Sequence, residues 1–352
     1  MTRQNRKWDH ISLAITSQEN VKASAFNDLR FVHSPFPDLD VKDVSLATTV
    51  GGHVWNVPVY INAMTGGANG TERINESLAM VANEYGLAMA VGSQRSAIDE
   101  PSLQATYKIV RQTIKNGYVI ANIGADATYD QAMKVIEMID ADYLQLHVNP
   151  VQELIMPEGD RSFRGILTMI DAIVQQVSIP VIVKEVGFGM SQHTYRQLLD
   201  HGVSLIDVGG RGGTNFAFIE NERRSLNDYA FFQDYGQTTP ESLLEAQPFF
   251  DKAEFLASGG IQTPLDIIKA LALGAKAVGV AGAFLKTLQQ DGVETLSQQV
   301  GSWIGACQSI MTILSRTTVP ALQTVPMVIG GSTAAYCEAR GIDWRIFAKR
   351  SS

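Results

Sequence analysis

The chain has 352 residues, of which 45% are hydrophobic and 18% charged, and its net charge is −8. This composition excludes a disordered or solvating chain and supplies a large buried core. The negative field works against nucleic acid and anionic membranes, although a local basic pocket can still take a small anion.

Residues 1–56 read as an N-terminal arm. The first ten are polar and charged, without the apolar segment of a signal peptide. The arm's basic group, Arg6, Lys7 and His10, reads from composition alone as a polar tail. The longest apolar run, residues 277–285, contains Gly279 and Gly282 and falls far short of the ~20 residues of a membrane span. Cys307 and Cys337 form no CxxC pair, so no disulfide framework or zinc site is expected. A soluble cytoplasmic protein is the expectation, bound to neither nucleic acid nor membrane.

From residue 57 onward, apolar runs rich in β-branched residues alternate with amphipathic segments. The predicted strands are 57–64, 88–92, 118–124, 143–148, 180–186, 205–209, 254–258 and 277–281. They are apolar on both faces, as strands buried in a parallel sheet must be. Helical spacing marks 72–85, and a second helix is predicted at 264–273, with Pro264 in its first turn, Thr263 as N-cap and Gly274 as its stop. Residues 211–239 form a long insertion after the sixth strand, with the composition of a functional lid. Residues 292–352 read as a helical tail.

Eight strands alternating with helices make either a closed barrel or an open doubly wound sheet. No GxGxxG opens the first βα unit. Glycines end the seventh and eighth units, in Ala257-Ser-Gly-Gly260 and Gly279-Val-Ala-Gly282, where barrels bind phosphate. The predicted fold is therefore a single α/β domain, a (β/α)8 TIM barrel over 57–291 with an N-terminal arm (1–56) and a helical tail (292–352).

Catalytic groups of a barrel sit at the C-terminal ends of its strands. One glycine pair there is an ordinary tight turn; pairs after four strands point to a phosphate-bearing cofactor. Lys184 is a charge on an apolar strand, costly unless used. Strand alternation turns it away from Glu185, leaving it to face a reduced flavin or to form a Schiff base. His147 and Asn149 share a strand face, with Gln152 and Glu153 beginning the loop that follows. His147 alone could be a hydrogen-bonded core histidine and Glu153 a solvated charge. Together, one carboxylate, two amides and an imidazole suit a hydrated Mg2+ shared with substrate phosphates, not zinc. P-loop, zincin and serine-hydrolase motifs are absent.

Several motifs stand in order: Arg6-Lys-x-x-His10, Asn62-Ala-Met-Thr-Gly-Gly67, Gly92-Ser-Gln-Arg95, His147-Val-Asn149 with Gln152-Glu153, Met156-Pro-Glu-Gly159, Lys184-Glu-Val-Gly-Phe-Gly189 and Gly212-Gly-Thr-Asn215. In this the chain resembles type 2 isopentenyl diphosphate isomerases, from the arm to about Gly282. The resemblance implies an FMN- and Mg2+-dependent barrel enzyme that interconverts isopentenyl and dimethylallyl diphosphate in isoprenoid biosynthesis. NADPH would reduce the flavin, and the enzyme would be a homotetramer or homo-octamer.

Carried over by motif, Arg6, Lys7, His10, Arg95, Asn149 and Gln152 would bind substrate, and Glu153 the Mg2+. Met64, Thr65, Gly66, Ser93, Asn122, Lys184 and Thr214 would contact FMN, with Gly259, Gly260, Ala281 and Gly282 at its phosphate. Gln152, His147 and Lys184 are the catalytic candidates. Gly282 departs from the family, which often has Arg there. Two other readings stand beside this one: an FMN-dependent α-hydroxy-acid oxidase, and a non-catalytic flavin- or phosphate-binding protein.

Overall fold

A computed structural model describes residues 3–19 and 23–350, with side chains from residue 7 to 17 and from 23 onward. Twelve strands occur among the described residues: β1 (Leu29–Phe31), β2 (Thr48–Val50), β3 (His53–Trp55), β4 (Val59–Ile61), β5 (Ala88–Ala90), β6 (Val119–Gly124), β7 (Tyr143–Val148), β8 (Val181–Glu185), β9 (Leu205–Asp207), β10 (Glu254–Ser258), β11 (Ala277–Val280) and β12 (Met327–Ile329). β4 to β11 close into a parallel barrel, with β11 pairing back onto β4. The eight predicted strands are these eight, though several are shorter than their apolar runs, because the chain leaves the ladder where glycines and polar residues begin.

The barrel interior shows why the sequence closes this way. Tyr60, Ala88, Ile120, Tyr143, Ile182, Leu205, Leu256 and Ala277, one from each strand, pack in its N-terminal half. Two residues further along six of the eight strands, the same inward face changes character, to Asn62, Asn122, Gln145, Lys184, Asp207 and Ser258, all buried. A strand pattern of apolar-then-polar at period two therefore builds an apolar floor beneath a polar layer. The floor is sealed by the hairpin β2–β3. Its Trp55 indole donates to the Tyr143 hydroxyl at 2.9 Å, which donates to the Val50 carbonyl at 2.8 Å.

The helix Pro264–Leu273 begins at Thr263 with a reciprocal capping box to Asp266, as predicted. The arm departs from the polar-tail reading, forming a 17-residue helix, Arg3–Glu19. It lies against the helices Phe216–Glu222 and Gly282–Asp291, burying Ile11 and Ala14. The tail is helical at Val293–Ile313 and Gly331–Arg340 but also contributes β12, which pairs antiparallel with β1 of the arm. Among the described residues no helix is long and apolar enough to cross a membrane.

Candidate active site

A cavity of about 390 Å3 opens at the C-terminal mouth of the barrel, within the size range of small-molecule sites. It is lined by Met64, Thr65, Gly66, Ser93, Asn122 and Lys184 from the β4, β5, β6 and β8 ends, and by Thr214, Gly259, Gly260, Ala281 and Gly282 from the later turns. Lys7, His10, Arg95, His147, Asn149, Gln152 and Glu153 line it too. Arg6 lies on the N-terminal helix, but its side chain falls outside the described residues.

Glycine is required where the turns after β9 and β10 meet. Gly259 has φ +95°, and a Cβ there would lie 1.8 Å from the Gly210 carbonyl oxygen; the two backbones touch, leaving a smooth wall for a ligand. Gly282 opens the ten-residue helix Gly282–Asp291 directly after β11. The position thus offers helix N-terminal amides to an anion. Thr65 is turned from the cavity by its hydroxyl, which donates to Asn75 at 2.7 Å. Its carbonyl accepts from the Gly92 amide at 2.8 Å, which leaves the Thr65 amide for a cofactor.

His147 Nδ1 lies 2.9 Å from Asn122 Oδ1. The Asn122 amide nitrogen donates to the Val91 carbonyl at 3.0 Å, which fixes the oxygen toward the imidazole. The network thereby assigns the proton to Nδ1 and leaves Nε2 as an acceptor. Burial, then the cations Lys184, Lys7 and Arg95, push His147 down to about 3. Arg95 is itself braced by Asp126 and Gln131, both at 2.7 Å. A chain of net charge −8 thus concentrates three cations around one imidazole.

Gln152 and Glu153 lie on a short helix, Pro150–Ile155, where a loop was expected; Pro150 at its first position presets the helical φ. Asn149 Nδ2 donates to Gln152 Oε1 at 3.1 Å and Glu153 Oε1 at 3.0 Å, and the Asp160 amide donates to Glu153 Oε2 at 2.9 Å. No group of three or more metal-ligating side chains occurs among the described residues. Glu153 could offer Mg2+ a carboxylate, and phosphate oxygens and water would have to fill most of an octahedron.

Sequence reasoning missed two residues. Glu220, on the insertion helix Phe216–Glu222, is fully buried, accepts from Gln152 Nε2 at 2.9 Å and lies 2.9 Å from His10 Nε2. Burial alone would raise its carboxyl, but His10, Gln152 and Arg223 outweigh that and hold it below the usual range. No motif singles it out, since its partner lies 68 residues away. Gln145 is 1% exposed, lines the cavity and leaves both amide atoms without a protein partner. Its position two residues before His147 on one strand was the available signal.

The cavity fits FMN. The unpartnered Gln145 amide can meet the donor–acceptor edge of a flavin ring, the glycine walls admit a flat ring, and the helix beginning at Gly282 suits a phosphate.

A family profile described as FMN-dependent dehydrogenase matches residues 150–325. The chain is 45% identical over 341 residues to an isopentenyl-diphosphate delta-isomerase of Staphylococcus haemolyticus, covering 97% of both chains. It is 47% identical to proteins of that description from a Streptomyces species, over all of this chain and 97% of the other, and from a Geobacillus species, over 99% and 100%. Among solved structures, a flavocytochrome b2 variant superposes with TM-score 0.67 at 18% identity over 93% of this chain and 83% of its own. A mandelate oxidase variant superposes with TM-score 0.60 at 16% identity, over 87% and 90%. At those identities the likeness to both is one of fold.

Proposed function

The chain belongs to the isopentenyl-diphosphate delta-isomerase family, and from that premise we propose how its residues carry the reaction. It is an FMN-dependent isomerase on a (β/α)8 barrel, converting isopentenyl to dimethylallyl diphosphate by a 1,3-allylic shift. The terminal CH2 gains a proton, the neighbouring CH2 loses one, and no net oxidation occurs. Bound and reduced, FMN would supply an electron-rich ring and a protonatable nitrogen for this exchange of protons.

Lys7 and Arg95, with Arg6 and His10, hold the diphosphate, and Asn149 and Gln152 contact the substrate. Glu153 would contribute a carboxylate to Mg2+, which would offset the charge of the diphosphate. Met64, Thr65, Gly66, Ser93, Asn122 and Thr214 contact the flavin. Gly259, Gly260, Ala281 and Gly282 receive its phosphate through backbone amides, and Lys184 and Gln145 receive the polar edge of its ring. His147 enters uncharged, as a hydrogen-bond acceptor at Nε2. Gln152 cannot titrate as an ordinary acid or base, but its amide is clamped between Asn149 and Glu220. It orients the alkene or relays a proton to Glu220. The N-terminal helix and the insertion helix keep water from the reacting carbons.

The observation that carries this reading is the pairing, in one cavity, of a glycine-walled slot with Lys7, Arg95 and Lys184 acting on one neutral imidazole. A hydroxy-acid oxidase would use a His base and an Arg late in the barrel, and residues 256–262 and 279–282 contain neither. NADPH as reductant, a cytoplasmic location and a homotetramer or homo-octamer complete the proposal. Exposed Phe36, Leu226 and Phe231 are available for contacts between copies. An anaerobic assay with FMN, NADPH, Mg2+ and isopentenyl diphosphate tests it. Dimethylallyl diphosphate formed only with reduced flavin is expected; no product with FMN bound and reduced overturns the reading.

A further inference from the structure

Asp207 is a carboxylate with no exposure at all, in the polar layer at the end of β9. Four donors point at it: the Tyr60 hydroxyl at 2.6 Å, Asn62 Nδ2 at 3.1 Å, the Ser258 hydroxyl at 2.7 Å and the Gly209 amide at 3.1 Å. Two hydroxyls and two amides thus turn their hydrogens to its oxygens, an arrangement that suits a carboxylate acceptor. Burial, then the charge of Asp207, push the Tyr60 hydroxyl well above its ordinary value, so it stays protonated and keeps donating. Lys184 Nζ stands 4.0 Å from Asp207 Oδ2, in register across the β8–β9 ladder, and also donates to the Glu185 carbonyl.

We propose that Asp207 is a positioning residue that holds Lys184 as a partly compensated cation and thereby sets how much positive charge the cavity presents to the flavin. This rests on FMN occupying the cavity. A buried charge of opposite sign cancels part of a neighbour's field. With Asp207 in place, Lys184 presents less than a full charge to a reduced, anionic ring. Asp207 ties its own strand to β4, β8 and β10, so a purely structural role predicts lost stability and nothing else; the proposal predicts a changed potential.

The measurement is the midpoint potential of FMN bound to the full-length holoprotein, by spectroelectrochemical titration. Asp207→Asn should move it upward, because an uncompensated Lys184 favours the reduced anion. In a Lys184→Met background only the direct loss of the carboxylate's charge remains, without the release of the ammonium group that Asp207 holds in place, so the shift should be smaller there. An unchanged potential, or an equal shift in both backgrounds, overturns the proposal. Tyr60→Phe is the gentler variant should Asp207→Asn not fold: with one donor fewer, the carboxylate's charge is less shared and the potential should fall. No fall there would count equally against it. FMN uptake, followed by the flavin spectrum in every variant, distinguishes a failure of the cofactor reading from a failure of this one.

Discussion

His147 and Glu185 are buried against opposite preferences, and each leaves a pH signature. His147 is held down to about 3 by burial and then by Lys184, Lys7 and Arg95, so the unfolded chain takes up its proton first. Its contribution to stability is complete above about pH 6.5 and is lost as pH falls toward 3. Glu185 is pushed up to about 7 by burial, which outweighs the amides of Phe188 and Gly187 and the charge of Lys184. Its contribution is present below the ordinary carboxylate range and lost as pH rises through 7. In thermal unfolding from pH 7 down to 4, His147→Asn should flatten the acid-side loss, whereas Glu185→Gln should steepen it. For the reaction, the pH profile of kcat/KM should show no limb from His147 between pH 5 and 8; a limb there that disappears in His147→Asn would show that the imidazole titrates in the working range. Gln152→Ala should lower kcat by about 100-fold, a general acid–base contribution, with a smaller change in KM. Near wild-type turnover would remove Gln152 from the chemistry.

At the scale of elements, Arg223 ties separate segments over the cavity. It reaches Glu220 on its own insertion, Glu158 at 2.5 Å and Asp9 of the N-terminal helix at 3.9 Å. Removing one partner of a buried pair leaves an uncompensated charge, a loss of about 3–5 kcal/mol. The insertion is a satellite of the barrel core, so Arg223→Ala should loosen it locally. Amide exchange over residues 216–232 should quicken and KM for the diphosphate rise several-fold. A fall in global Tm with unchanged exchange there would contradict the latch. Elements governed by local rules were legible in the sequence: Pro264 and Thr263 start a helix through nearest-neighbour chemistry, and the eight strands announce themselves by apolar runs. The cavity residues Lys184, His147 and Gln152 were legible because polar groups on apolar strands, or in a tight cluster, are conspicuous. Glu220 and Asp207 were not. Each acquires its meaning from partners more than 65 residues away, Gln152 for one and Tyr60 for the other, and only the closed barrel brings them together. The helix of the arm was illegible for a related reason. Its sequence is polar, and what favours the helix is Ile11 and Ala14 buried against elements over 200 residues distant.

The whole molecule divides its tasks between the two ends of one barrel. The N-terminal end is an apolar floor closed by Trp55 and Tyr143; the C-terminal end carries the polar layer, the glycine turns and the cations. A barrel conserves stability at its bottom and chemistry at its top, so substitutions at the two ends should separate the two properties. Trp55→Ala removes a side chain 2% exposed and its bond to Tyr143, which should cost about 3–5 kcal/mol and leave FMN affinity nearly unchanged in whatever fraction folds. Gln145→Leu should do the opposite. Without a ligand, both polar atoms of Gln145 lack protein partners, a desolvation cost of about 1–3 kcal/mol unless water supplies it. An apolar side chain of similar size relieves that cost, so the apoprotein's Tm should rise. The same change deletes the donor and acceptor proposed to meet the flavin edge, so FMN should bind more weakly, and the gain in Tm on adding FMN, which grows with ligand concentration over Kd, should shrink. Thermal unfolding of the wild type and both variants, with and without FMN, checks all of this together. A Gln145→Leu protein with a lower apo Tm and an undiminished FMN shift would mean that Gln145 serves the floor it stands on and not the ligand above it.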